Sequence, residues 1–366
     1  MGAITLTFAL SFLSYKYVEK PFINKSLMPR NTIFKYSTVS IALILSVGLS
    51  GHFFKGFENR FENNIYTKTI KFSPKRKECH TKGSNYLKPD EACEYFGSNI
   101  TWASFGDSHT VEPAFALAKM LEQDGVGLLH LSFSGCPPAL TFDVKEPGCS
   151  NWVKEALEFL EKNDSIENIL LGFRYSAFLY GDQLDSYPEL PNQGYVNQFF
   201  EFSSNSKTED PKEIYWNSFN NIINRLLNSG KIIYLLYPIP ELPVHISKAV
   251  TPFSVFGQRT ILDLEKSTTS VYYFSRNDFI IRKLDSLQYG NNLHAIKPFE
   301  ILCSSEHCPA TSEGKALYFD DDHLSITGAT KLIAMSIGVN YQKETKEPVQ
   351  AAISGIVSTT PSIFSH

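Results

Sequence analysis

Three residue types in this chain could form a nucleophilic relay. Ser108 sits in Phe105-Gly106-Asp107-Ser108-His109, and His323 in Asp320-Asp321-Asp322-His323-Leu324. A serine hydroxyl is a weak nucleophile until a base takes its proton, and an imidazole is such a base once a carboxylate orients it. Asp320 precedes His323 by three residues and is the expected orienting group, with Asp321 and Asp322 as neighbours able to do the same. On its own, an Asp-Asp-Asp run reads as a solvated loop or a calcium site. With a serine turn upstream it reads as the acidic arm of the relay. The roughly 215 residues between serine and histidine are a span that one domain of ordinary size can fold together.

The elements around these residues suit that chemistry. Thr101–Phe105 is a short apolar run of strand type and Val111–Gln123 a helical one, so Ser108 lies on a strand-turn-helix junction. Backbone N–H groups and the helix dipole favour negative charge there. Further strand-like runs at Val126–Ser132, Asn168–Phe173 and Lys231–Leu236 alternate with helix-like runs at Asn151–Lys162 and Glu213–Asn228. Such alternation predicts an α/β fold with a mainly parallel sheet covered by helices on both faces. Ligands bind at the carboxyl ends of strands in such sheets, where Ser108 falls. Ser325–Val339 reads as a closing helix. Helical pattern also occurs near Val255–Ser267 and Asp278–Leu287, and the insertion at Tyr175–Lys212 is a candidate lid.

The N-terminal part has a different character. Tyr36–Phe54 is 19 residues without Asp, Glu, Lys or Arg, and is expected to span a membrane. Residues 1–14 are apolar but shorter; a signal peptide and the tail of a longer membrane helix both fit. The Lys- and Arg-rich 15–35 connector places itself on the cytoplasmic side and the rest of the chain outside. Six cysteines, all beyond the span, are spaced so that Cys79/Cys93, Cys136/Cys149 and Cys303/Cys308 form three possible local pairs. Six cysteines allow about 15 connectivities, which spacing does not decide. No C-x-x-C occurs, which argues against zinc, and disulfides in an oxidising compartment are expected. A net charge of −4 with both signs interspersed lacks the basic stripe of a nucleic-acid binder. His52 lies at the end of the span and is expected to face the interface, and His294 and His307 carry no evident role.

Gly106-Asp107-Ser108-His109 and Asp320-x-x-His323-Leu324-Ser325 resemble the first and last blocks of the SGNH (GDSL-like) hydrolase superfamily. Glu19-Lys20-Pro21-Phe22 looks like the end of the last core helix of the membrane acyltransferase-three family. Together with the span and Ser134-Gly135-Cys136-Pro137-Pro138, the chain resembles the variant in which that membrane domain is fused to a periplasmic SGNH domain. The resemblance implies a three-layer SGNH-like sandwich and an O-acyltransferase acting on a surface polysaccharide such as lipopolysaccharide O-antigen. A carbohydrate esterase and a non-catalytic polysaccharide-binding module are the alternatives. It implies Ser108 as nucleophile, His323 as base and Asp320 as orienting residue, with no cofactor and no metal. The oxyanion hole would use the Ser108 N–H, Gly135, and Arg174 in place of the asparagine that the third block normally carries. By its own position on the first helical turn, His109 is expected to touch substrate or to be a cap-side, partly exposed histidine. An acetyl donor would come from a membrane acyltransferase domain that this chain lacks, in a longer protein or a separate chain. The expected organisation is 1–35 membrane-domain remnant and loop, 36–54 span, 55–99 periplasmic linker, 100–342 SGNH domain and 343–366 disordered tail, at the bacterial inner membrane with the SGNH domain in the periplasm.

Overall fold

The computed structural model describes residues 2–23, 29–53, 68–181, 187, 200–201, 210–250 and 263–338. The chain divides into two compact units, Met1–Asn63 and Asn64–His366. The tail at 343–366, most of the 175–212 insertion and most of the Val255–Ser267 pattern lie outside the described residues.

The first unit is helical. Gly2–Ser14 (α1) continues through helical turns at Tyr15–Glu19 and Lys20–Ile23. The 24-residue helix Arg30–Phe53 (α2) starts six residues before the apolar run, taking up the end of the polar connector. At 1.5 Å per residue it is about 36 Å long, enough for a hydrocarbon core of about 30 Å. None of its residues is buried, and Ile44 is 72% exposed, the opposite of a core helix. It is one apolar helix with the length and composition of a membrane span.

The second unit is built on a six-stranded sheet: β1 (Cys93–Tyr95), β2 (Asn99–Gly106), β3 (Val126–Ser132), β4 (Asn168–Gly172), β5 (Ile232–Leu236) and β6 (Leu293–Ile296). The spatial order is β1-β3-β2-β4-β5-β6, with β1 antiparallel to β3 and every other pair parallel. The chain leaves β2 for β3 on one side and returns to β4 on the other. The crevice of this sheet therefore opens at the carboxyl end of β2. β1 falls within the stretch expected to be a linker, and both β1 and β6 were unanticipated. Three or four residues are too few to display a two-residue period.

Side chains alternate across the sheet, as strand geometry requires. Ala103, Phe105, Leu129, Leu131, Ile169 and Leu171 face α4 (Cys149–Lys162) and α6 (Pro211–Asn228), which bring Trp152, Leu157, Phe219 and Ile222. Trp102, Leu128, Leu170 and Leu236 face α3 (Val111–Leu121) and α8 (Ile326–Gly338), which bring Leu117, Leu121, Leu332 and Ile333. Between α4 and α6 lies the short α5 (Tyr175–Tyr180); α7 (Ser270–Asp285) begins eight residues before the pattern at Asp278 and packs against α5. Layers of helix, sheet and helix result. The cysteines pair locally: Cys79–Cys93, Cys136–Cys149 and Cys303–Cys308.

Candidate active site

β2 ends in Gly106, and the glycine is obligatory. A Cβ there would lie 1.9 Å from Gly172 O and 2.6 Å from Thr110 Cγ2. Asp107 follows in extended conformation and caps the next turn: Oδ1 accepts the His109 N–H at 2.9 Å, while Thr110 Oγ1 donates to the Asp107 carbonyl at 2.8 Å. Its other oxygen accepts the Arg174 N–H at 2.8 Å, tying the loop after β4 to the serine turn. Asp107 is 1% exposed; burial lifts its carboxyl to about 6 against the pull of those two donors.

Ser108 Oγ lies 2.7 Å from His323 Nε2. The acidic loop is folded around Asp320, whose Oδ1 accepts the N–H groups of Asp322 (3.1 Å) and His323 (2.7 Å). Its Oδ2 is 2.8 Å from His323 Nδ1, and Asp322 Oδ1 is at 2.8 Å from the same nitrogen. Two carboxylates therefore converge on one ring nitrogen, where the spacing had singled out Asp320. Asp321 meets the loop after β5 through its backbone, its carbonyl accepting the Leu242 N–H at 2.6 Å. Burial disfavours an imidazolium at His323, yet Asp322 and Asp320 outweigh it and lift the group to about 10. Asp322 is held well below the usual carboxylate range: His323 and Arg174 overcome its burial. With Nε2 protonated, the ring donates to Ser108 Oγ, and loss of that proton makes Nε2 the acceptor that serine activation needs.

The His323 ring lies between two others. Phe319 stacks on it at 5.3 Å and 17°, and His109 packs at 4.5 Å and 33°. Arg76 sits 5.0 Å over the Phe319 ring and binds Glu112 of α3 at 2.6 Å. His109, expected as a substrate contact, is 4% exposed and does not line the cleft. Its Nδ1 and Nε2 each stand 3.7 Å from a carboxylate, of Asp107 and Asp322 respectively, and neither ring nitrogen has a hydrogen-bond partner among the described residues. Burial, reinforced by the His323 charge, holds it neutral. It packs against the His323 ring and does not face the cleft.

A cleft of about 480 Å³ opens on Ser108, lined also by Gly135, Pro137, Val144, Arg174, Phe178 and His323. This volume suits a small ligand or one or two sugar units. Gly135 adopts φ +61°, a conformation that favours glycine. It is fixed on both sides, by the Ser134 N–H donating to Thr81 O at 2.8 Å and by the Cys136–Cys149 disulfide. Arg174 reaches the cleft but is committed elsewhere: Nε donates to Glu241 at 2.8 Å and Nη1 lies 2.6 Å from Asp322 Oδ2. Two of its donors thus face carboxylates, while the guanidinium still lines the cleft beside Ser108 and Gly135. Glu241 was not anticipated; in Pro-Ile-Pro-Glu-Leu-Pro it has the look of a loop residue, and its partner is 67 positions away. His109, Asp322 and His323 have ligating atoms within 4.8 Å of one another, as do Asp320, Asp321 and Asp322. Asp320, Asp322 and His323 in these groups already bind one another, and Asp322 binds Arg174.

The description "SGNH domain (fused to AT3 domains)" belongs to the family model that matches residues 78–336. No curated protein matches the chain. Among solved structures, the chain is similar to the lipopolysaccharide acetyltransferase periplasmic domain of Salmonella ser. Paratyphi A, at 13% identity and a TM-score of 0.50, covering 76% of this chain and 97% of that one. It is also similar to Est24, a carbohydrate acetylesterase from Sinorhizobium meliloti, at 12% identity and a TM-score of 0.36, covering 66% and 98%. At 13% identity the likeness to the acetyltransferase domain is one of fold. The match over residues 78–336, more than half the chain, places it in the family of SGNH domains that occur fused to AT3 domains.

Proposed function

We propose that the chain is an O-acyltransferase, acetyl being the expected group, acting on a cell-surface polysaccharide outside the bacterial inner membrane. The observation that carries this reading is the hydrogen-bonded run from Ser108 Oγ through His323 to Asp320 and Asp322, open to a cleft at the carboxyl end of β2. Ser108 Oγ attacks the acyl carbonyl while His323 Nε2 takes the hydroxyl proton. The resulting oxyanion is met by the N–H groups of Ser108 and Gly135, with Arg174 as a further donor, and Nε2 returns the proton to the leaving group. A sugar hydroxyl then attacks the Ser108 ester, losing its proton to Nε2, and Ser108 is restored. Asp320 and Asp322 hold the ring in the tautomer and orientation for both transfers. Residues 36–54 are proposed as the membrane anchor, 55–99 as periplasmic linker and 100–342 as the catalytic domain, with the acyl donor relayed by a membrane acyltransferase domain.

A carbohydrate esterase is the second reading, because the same run activates water as readily as a sugar hydroxyl if the cleft stays wet. The two separate in one assay. The 366-residue chain in detergent, with 4-nitrophenyl acetate and an acceptor oligosaccharide, is expected to release nitrophenol and acetylate the sugar, both lost in Ser108→Ala. Free acetate with no sugar product would favour the esterase. Turnover unaffected by Ser108→Ala would overturn both and leave a polysaccharide-binding role.

A further inference from the structure

A ladder of alternating charge runs from α7 to the serine. Arg276 of α7 is 2% exposed, and its Nη2 lies 2.8 Å from Glu241 Oε2. The other oxygen, Glu241 Oε1, accepts from Arg174 Nε at 2.8 Å. Arg174 Nη1 is 2.6 Å from Asp322 Oδ2, and Asp322 Oδ1 is 2.8 Å from His323 Nδ1. Every member is mostly buried, with side-chain exposures of 2% for Arg276, 7% for Glu241, 18% for Arg174, 6% for Asp322 and 14% for His323.

Glu241 is the fulcrum of this ladder. It faces two guanidinium groups with one carboxylate, splitting its oxygens between them. Arg276 Nε and Nη1 have no hydrogen-bond partner among the described residues, so Glu241 is the carboxylate that compensates its charge. Arg276 Nη2 also donates to Gly181 O at 2.7 Å, at the end of the helix that starts beside Arg174. The Glu241 backbone is fastened as firmly. Thr268 Oγ1 donates to its carbonyl at 2.6 Å, and the next residue, Leu242, donates its N–H to Asp321 O at 2.6 Å. Ile246 N–H reaches Asp320 O at 3.1 Å. One loop therefore holds the acidic segment by its main chain and the Arg174 side chain by its carboxylate.

We propose that Glu241 is a positioning residue: braced by Arg276, it fixes the Arg174 guanidinium on Asp322 and so aims the Asp322 carboxylate at His323 Nδ1. The inference rests on the reading of Ser108 and His323 as the acyl-transfer pair. Neutralising Glu241 leaves two buried guanidinium groups with Asp322 as the nearest carboxylate of the ladder. Arg174 then draws Asp322 away from the imidazole, and the added positive field disfavours the imidazolium. Both effects move the protonation midpoint of His323 downward.

The test is the rate at which a fluorophosphonate probe labels Ser108, followed from pH 5 to 11 on the full chain in detergent, with Ser108→Ala as the blank. Labelling needs the serine and its base but no acceptor or physiological donor. Glu241→Gln is expected to lower the plateau rate about 10- to 100-fold, the scale of a misplaced catalytic group, and to move the acid limb down by about one unit. A rate and a limb both unchanged in Glu241→Gln overturn the proposal, and so does a fall in rate with an unmoved limb, which marks a structural role alone. Should Glu241→Gln fail to fold, Glu241→Gln/Arg276→Met removes both opposite charges of the pair and leaves the net charge unchanged. That double variant is expected to fold and still label about 10-fold or more slowly, because Arg174 has lost its brace; labelling at the unsubstituted rate overturns the proposal. Absence of labelling in the unsubstituted chain instead overturns the nucleophile reading beneath it.

Discussion

Asp322→Asn separates the two carboxylates that share His323 Nδ1. The imidazole is lifted from an ordinary 6.5 to about 10. That difference of about 3.5 units corresponds to about 5 kcal/mol of preference for the charged ring, net of its burial. Asp322 is the larger attractive partner and Asp320 the second. Loss of the Asp322 charge is therefore expected to remove at least about half the rise, bringing the midpoint down by roughly 2 units. Asp320→Asn is expected to move it less and to disturb the loop more, because Asp320 also accepts two backbone N–H groups. Fluorophosphonate labelling of Ser108 across pH reports both variants. In the unsubstituted chain the labelling rate should climb through pH 7 to 9; in Asp322→Asn it should level off about 2 units earlier and at a lower plateau. Coincident acid limbs in the two proteins would refute the electrostatic reasoning.

Stability should carry the same signature. A histidine raised in the folded state stabilises fully below its unfolded value near 6.5, and the contribution fades as pH rises through about 10. Chemical denaturation at pH 6 and pH 10 should therefore differ by several kcal/mol more in the unsubstituted chain than in His323→Gln, and equal differences would contradict the assignment. Gly106→Ala should cost about 3 kcal/mol or more, since its Cβ would meet the Gly172 carbonyl at 1.9 Å; a thermal melt within a degree of the parent would contradict the packing. Cys136→Ser/Cys149→Ser should lose about 3 kcal/mol and slow Ser108 labelling by freeing the Gly135 loop. Cys303→Ser/Cys308→Ser, which closes a separation of only 5 residues outside the cleft, should leave the labelling rate unchanged.

Much of the site was legible because its parts are local. The turn after β2 announces itself by a glycine, a capping aspartate and a serine in succession, and the order of apolar runs gives the sheet that presents it. The three-residue interval from Asp320 to His323 likewise reflects one tight loop. What stayed hidden depends on contacts between distant segments. Asp322 shares Nδ1 because Arg174 and the loop from Glu241 to Ile246 shape the acidic turn. The carboxylate partners of Arg174 stayed hidden because they lie 67 and 148 positions downstream, at Glu241 and Asp322. His109 looked accessible on a first helical turn, but it is buried and packs against His323, a residue from the far end of the domain.

The acyl-enzyme itself is the most direct test of the account. The full chain, exposed briefly to an activated acetyl ester, quenched in acid and digested, is read by peptide mass spectrometry. One acetyl group on the peptide containing Ser108, absent in Ser108→Ala and discharged when acceptor sugar is added, is the expected result. An unmodified Ser108 peptide while the ester is consumed, or acetylation that persists on another residue in Ser108→Ala with undiminished transfer to sugar, would contradict it.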